Sequence, residues 1–132
     1  MMIVLYIVFG IIALIMLMQY VMIFSAKKSR GIKLNGLKGN LKKLESNDSN
    51  GLVYFFSPSC HACKAQTPVI KTLQSSYKNV YDVDISKDFN TARVFGIKAT
   101  PTTIAVENGV IKQVFLGVKP KEFLEKYLRG KI

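Results

Sequence analysis

Cys60-His61-Ala62-Cys63 gathers both cysteines of the 132-residue chain and its only histidine into four positions. Two thiols with two residues between them suit three chemistries: metal binding, a structural cross-link, or thiol–disulfide exchange. Structural zinc takes four ligands, and this chain offers two Cys and one His. No resident metal is therefore expected; a four-thiolate site shared by two copies, or copper transfer, stays open. Cross-linking so short a loop gains little stability, which argues against a purely structural bridge. Exchange is the leading expectation, and it needs no cofactor. Cys60 is then the nucleophile and Cys63 the resolving thiol, one helical turn away. His61, when protonated, and Lys64 would tune the thiol by their charge.

Such a pair needs a rigid strand before it and a helix after it. Leu52-Val53-Tyr54-Phe55-Phe56 is an unbroken apolar run, the pattern of a strand buried on both faces. From Cys60 the spacing of Ala62, Ala65, Val69, Leu73 and Tyr77 predicts a helix with that face inward. Its N-terminus would hold Cys60 among unpaired N–H groups, which favour a thiolate. Pro68 inside this helix predicts a kink.

Around this unit the pattern continues. Ile32–Leu34 reads as a short strand, and Leu37, Leu41 and Leu44 have helical spacing. Ser46–Gly51 is a turn cluster. Tyr81, Val83 and Ile85 alternate with polar residues, a strand with one apolar face. Asp88–Phe95 reads as a short helix closed by Gly96. Asn108-Gly109 between two β-type runs signals a hairpin. After Gly117, Pro120 suits the start of a last helix whose apolar face is Phe123, Leu124, Tyr127 and Leu128, with Glu122–Lys126 and Glu125–Arg129 as ion pairs. The order is β-α-β-α-β-α-β-β-α. Strands separated by helices are expected to pair in parallel.

Met1–Ala26 carries no charged side chain, and its only strongly polar ones are Gln19 and Ser25. As a helix this stretch would be about 39 Å long, enough to cross a ~30 Å hydrocarbon core. A cleaved signal would have a basic start, a shorter apolar run and a small-x-small site; Phe24-Ser25-Ala26 fits that poorly. Residues 1–26 are therefore expected to be a transmembrane anchor, 27–31 a basic linker and 32–132 the folded domain. Of the net charge of +11, seven cations, Lys27 to Lys43, precede the first acid, Glu45. The positive-inside rule then places the domain on the cytoplasmic side, whereas persistent disulfides favour the opposite side. Lys27–Lys43 contains no aromatic residue for base stacking, so nucleic acid is not an expected partner. No signal for an oligomeric state is present.

From about Gly31 to Arg129 the chain resembles the thioredoxin superfamily. The resemblance rests on Cys60-x-x-Cys63 after an apolar strand, Pro68 eight residues beyond Cys60, Thr100-Pro101 before the hairpin, Asn108-Gly109 at its turn, and Gly117 with the amphipathic last helix. It implies an α/β thioredoxin fold, a central mixed sheet flanked by helices, here with an N-terminal transmembrane helix. It also implies a cis bond at Thr100–Pro101, with the Thr100 backbone free to pair with a substrate peptide. Two positions depart from the family. Ser59 stands where a Trp usually precedes the first cysteine, and Tyr54 where many members bury an Asp. The function implied is a membrane-tethered thiol–disulfide oxidoreductase acting on protein thiols and disulfides. The alternative is a non-catalytic binding or metal-delivery module on the same fold.

Overall fold

The computed structural model describes residues 1–130; the last two residues of the expected 32–132 domain lie outside it. The chain opens with α1 (Met2–Lys28), continues through a 3-10 helix (Gly39–Glu45), and then alternates strands and helices. These are β1 (Asn50–Phe56), α2 (Cys63–Ser76), β2 (Val80–Asp84), α3 (Phe89–Val94), β3 (Thr102–Glu107), β4 (Val110–Leu116) and α4 (Lys121–Leu128). One four-stranded sheet in the order β2-β1-β3-β4 forms the middle layer. β1 pairs parallel with β2 and antiparallel with β3, and β3 pairs antiparallel with β4. The sheet is thus mixed.

β1 sits at the centre because it is apolar on both faces. Val53 and Phe55 face one core with Val83, Phe95, Ile104 and Ile111. Leu52 and Tyr54 face the other, with Ile70, Leu73, Phe115 and Leu124. An alternating strand could satisfy only one of these layers.

The helical face of α2 differs from the expected one. Cys63, Gln66, Ile70 and Leu73 are buried, whereas Ala62 and Ala65 are exposed and Val69 is half-buried. The helix also starts at Cys63 rather than Cys60. The buried stripe is one residue out of phase because small and β-branched side chains satisfied the spacing equally well. Pro68 lies inside the helix. An interior proline costs about 3 kcal/mol in an isolated helix; burying Ile70 and Leu73, at about 1.5–3 kcal/mol each, offsets it.

The expected first strand is reduced to a bridge. Lys33 pairs with Val110, antiparallel, and Gly31 N–H donates to Ile111 O at 2.8 Å. Parallel pairing is therefore corrected for this segment, which α1 delivers to the outer edge of β4, and for β3, which follows α3 yet pairs antiparallel with β1. The expected helix over Leu37–Leu44 is a 3-10 helix, with Leu44 buried.

The hairpin turn is set by backbone conformation and space together. Asn108 and Gly109 both have positive φ, 56° and 73°. A Cβ on Gly109 would stand 2.7 Å from Glu45 O, so glycine is required twice over. Gly96 ends α3 at φ 68°, and its missing side chain leaves room for Ser29 at the end of α1.

α1 is long and apolar enough to cross a membrane: its span Met2–Ser25 has a mean hydropathy of 2.6 and is unburied. Its last turns dock on the domain. Lys98 Nζ donates to Ser25 Oγ at 3.2 Å, and Ser29 is buried.

α3 depends on its cap. Asp88 Oδ1 accepts from Thr91 N–H at 3.0 Å, and Oδ2 accepts from Thr91 Oγ1–H at 2.6 Å. Both bonds hold the Asp88 carboxyl below its ordinary value of 3.8, the side-chain bond most. A depressed carboxyl contributes stability that is present above its unfolded value and is lost as pH falls through the folded one. Stability in urea should therefore decline as pH falls below about 4, and Asp88→Asn, which still accepts at the cap, should flatten part of that decline. An unchanged pH profile in Asp88→Asn would show that the cap carries no such linkage.

Candidate active site

The C-terminal end of β1 opens into the cysteine loop. Cys60 N–H donates to Ser57 O at 3.1 Å, closing a turn, and α2 begins three residues later. Cys60 and Cys63 are joined by a disulfide, with Cα atoms 5.3 Å apart. Cys60 is half-buried, and Cys63 is buried at 3% exposure. The more accessible sulfur therefore belongs to the first cysteine. Cys63 N–H donates to Cys60 Sγ at 3.2 Å. This N–H is one of the unpaired donors at the start of α2, and no acidic residue in the first turn opposes it.

The flanking residues are placed differently from one another. His61 and Lys64 are both exposed. Lys64 lines a shallow groove with Phe56, Pro58, Cys60, Thr67 and Pro68. Ser59, in the position of the missing Trp, is exposed and hydrogen-bonded to Ser57, Oγ to Oγ at 3.0 Å.

The Thr100–Pro101 bond is cis. Pro101 is buried and Thr100 half-buried at the end of β3 nearest the cysteine loop. Gly117 N–H donates to Pro101 O at 2.9 Å, fixing this loop to the end of β4. Thr100 makes no backbone–backbone hydrogen bond among the described residues.

Tyr54 occupies the position of the expected acid and is 1% exposed. Its phenol O–H lies 3.2 Å from Cys63 O and donates to it. Thr67 Oγ1, 3.1 Å from the phenol, donates to the same carbonyl at 2.8 Å. Burial pushes the Tyr54 phenol above its ordinary value of 10.0, against the lowering influence of the Thr67 hydrogen bond; the Asp82 charge adds a further upward push. The phenol is therefore neutral at physiological pH.

Gln66 escaped the sequence reading. It is fully buried, its Oε1 accepts from Lys119 N–H at 2.6 Å, and its Nε2 donates to Lys119 O at 3.2 Å. These two bonds tie the first turn of α2 to the loop after Gly117. The available signal was a polar residue three positions after Cys63, on the same helical face as Ile70 and Leu73. Among the described residues no group of three or more His, Cys, Asp and Glu side chains is placed to hold a metal ion.

A thioredoxin family model matches residues 38–130. The thioredoxin of Bacillus subtilis is 26% identical over 95 residues, spanning 68% of this chain and 91% of that protein. Thioredoxin M4, a chloroplastic protein of Arabidopsis thaliana, is 34% identical over 88 residues, which is 64% of this chain. The aligned part spans 45% of that plant relative, about half its length. Among solved structures, the reduced thioredoxin pre-protein of Schistosoma mansoni superposes with a TM-score of 0.59 at 31% identity, covering 72% of this chain and 92% of that one. The match begins after α1 and takes in both cysteines, the cis-proline loop and the hairpin. The chain belongs to the thioredoxin family of thiol–disulfide oxidoreductases.

Proposed function

We propose that this chain is a membrane-tethered oxidoreductase that exchanges disulfides with protein substrates through Cys60 and Cys63. The observation that carries this reading is the Cys63 N–H aimed at Cys60 Sγ at 3.2 Å, with the second sulfur buried beneath the first. In the reduced state that donor stabilises a Cys60 thiolate. The thiolate attacks a substrate disulfide, forming a Cys60 mixed disulfide and releasing one substrate thiol. Cys63 then attacks Cys60 Sγ, restores the bond seen here and releases the second substrate thiol. Two electrons pass from the pair to the substrate. The reverse sequence oxidises a substrate dithiol.

The remaining residues receive supporting roles. The exposed cations His61, when protonated, and Lys64 add a positive field beside Cys60. Thr100, with its backbone unpaired, offers an edge to an extended substrate segment, and Pro101 packs that edge beside the cysteine loop. Tyr54 holds the Cys63 carbonyl but, being neutral, takes no proton from the Cys63 thiol. α1 is the anchor. The seven cations that follow its apolar stretch support a cytoplasmic placement of the domain.

Three outcomes test these assignments. In the full chain, Cys63→Ser should accumulate mixed disulfides on Cys60 that a reductant releases; absence of both trapping and turnover of a model disulfide by the native chain would refute the exchange reading. Tyr54→Phe should lower stability by about 1 kcal/mol, the worth of one hydrogen bond, and leave the pH profile of exchange unchanged. A displaced profile would assign the phenol a part in proton transfer. After reduction of intact cells, a thiol reagent unable to cross membranes should leave Cys60 unlabelled; labelling would put the domain outside.

A further inference from the structure

The direction in which α1 leaves the domain bears on what Cys60 can reach. Three strand ends converge at the redox end of the sheet: Phe56 of β1, Thr102 of β3 and Leu116 of β4, with Thr102 paired to both Phe55 and Leu116. The hairpin turn Asn108-Gly109 marks the opposite end. α1 joins the domain near that opposite end, where Gly31 N–H meets Ile111 O and Leu34 N–H meets Gly109 O. Followed backwards from there, α1 climbs along β4. Ser29 packs at Gly96, Ser25 accepts from Lys98, and Val21 and Met22 line a cleft with Ala99, Thr102 and Leu116. The helix therefore emerges past the redox end and continues beyond it.

Little helix remains to lift the domain off a bilayer. From Met2 to Tyr20 the length is about 28 Å, which the ~30 Å hydrocarbon core consumes entirely. Gln19 is the first strongly polar side chain of the chain, and the Tyr20 ring stacks on Phe24 with centroids 6.4 Å apart, an aromatic pair suited to the interface. Val21 already lines the cleft between α1 and the domain. Lys98 and Lys119 line the clefts between α1 and the domain, and Lys64 lines the groove beside Cys60; these cations suit anionic headgroups. The acid Asp84 ends β2 at this same end of the sheet, paired with Phe56, and Asp88 follows it, but β2 is the edge farthest from α1.

We infer that Cys60 faces the bilayer surface, and that its substrates are cysteines in the juxtamembrane segments of membrane proteins, held within about two helical turns of the headgroups. This rests on the membrane-tethered exchange reading above. The reaction uses the bond seen here. A juxtamembrane substrate thiolate attacks Cys60 Sγ and expels the Cys63 thiolate. A second substrate thiolate attacks the mixed disulfide, so the substrate loses two electrons and the Cys60/Cys63 pair gains them. With the pair reduced, the same steps run backwards on a substrate disulfide.

The test places the full chain in phospholipid vesicles with one of two single-span peptides. One carries its dithiol next to the headgroups; the other carries it on a rigid helical stalk about 40 Å higher. Exchange with the low dithiol should be faster by about tenfold or more, because tethering concentrates only sites at the same height. Inserting eleven helical residues between Tyr20 and Val21, which lifts the domain by about 16 Å, should erase that preference while leaving exchange with a small soluble dithiol unchanged. Equal rates on the two peptides, or an insertion without effect, would overturn the inference. Loss of the soluble reaction in the native chain would instead refute exchange itself, and release of the chain from vesicles by alkaline carbonate would refute the anchor. A second readout needs no turnover. A spin label on Cys60 in Cys63→Ala should be relaxed by a headgroup-bound paramagnetic ion more strongly than a label on Asn108→Cys in a chain with both native cysteines replaced; the opposite order overturns the inference.

Discussion

A backbone N–H that has no partner inside its own helix is the point on which the redox site depends. Cys63 N–H points at Cys60 Sγ because α2 begins at Cys63, and α2 begins there because β1 ends at Phe56 and the Ser57–Ala62 loop turns the chain. The donor is strong only if the strand and the helix are both immobile. β1 is held by backbone pairing on both sides and by a core layer on each face. α2 is held by Ile70 and Leu73 in the core and by Gln66 locked to Lys119. A flexible loop would give the sulfur water in place of a fixed dipole.

The same arrangement explains what the chain does without an acid beneath the cysteines. A buried carboxylate at position 54 would have to be desolvated, at a cost that burial alone does not return. The phenol of Tyr54 avoids that cost. It stacks on Phe56 with ring centroids 5.5 Å apart and spends its one donor on the Cys63 carbonyl. The site therefore keeps its geometry and loses a proton acceptor. Under the proposed exchange reading, electrostatic help for the thiolate would come from the helix terminus, whose Cys63 N–H already points at Cys60 Sγ, and from the exposed His61 and Lys64.

Most of this architecture was legible in the residues. The unbroken run Leu52–Phe56 announced a central strand, Asn108-Gly109 a hairpin, and Cys60-x-x-Cys63 a strand-to-helix junction, because each signal reports a local constraint with few alternatives. The buried face of α2 was misread because Ala62, Ala65 and Val69 offer an apolar stripe as regular as the true one, and nothing local reveals that Gln66 will find both partners on Lys119, 53 residues away. The N-terminal segment around Lys33 was misplaced for a related reason. Its pairing is decided by where α1 docks, through Ser29 against Gly96 and Ser25 against Lys98, and these contacts join residues far apart in sequence.

That docking changes what a tether means. A flexible linker would let the domain sample a hemisphere, and the cysteine pair would meet soluble and membrane-bound thiols alike. Here α1 runs without a break to Lys28, three residues before Gly31, whose N–H makes the first hydrogen bond to β4. Little slack remains between span and domain. In the proposed tether, helix direction becomes domain orientation, and that orientation selects which end of the sheet would meet the lipid. Because α1 lies along β4 and β4 ends beside the cis-proline loop, the proposed anchor would turn the end carrying Cys60 toward the lipid. Had the chain entered the sheet at the hairpin end with α1 pointing away from β4, an identical redox pair would face the aqueous phase. Specificity in such a protein is written less in the residues lining the groove than in the contacts that fix the angle of its anchor.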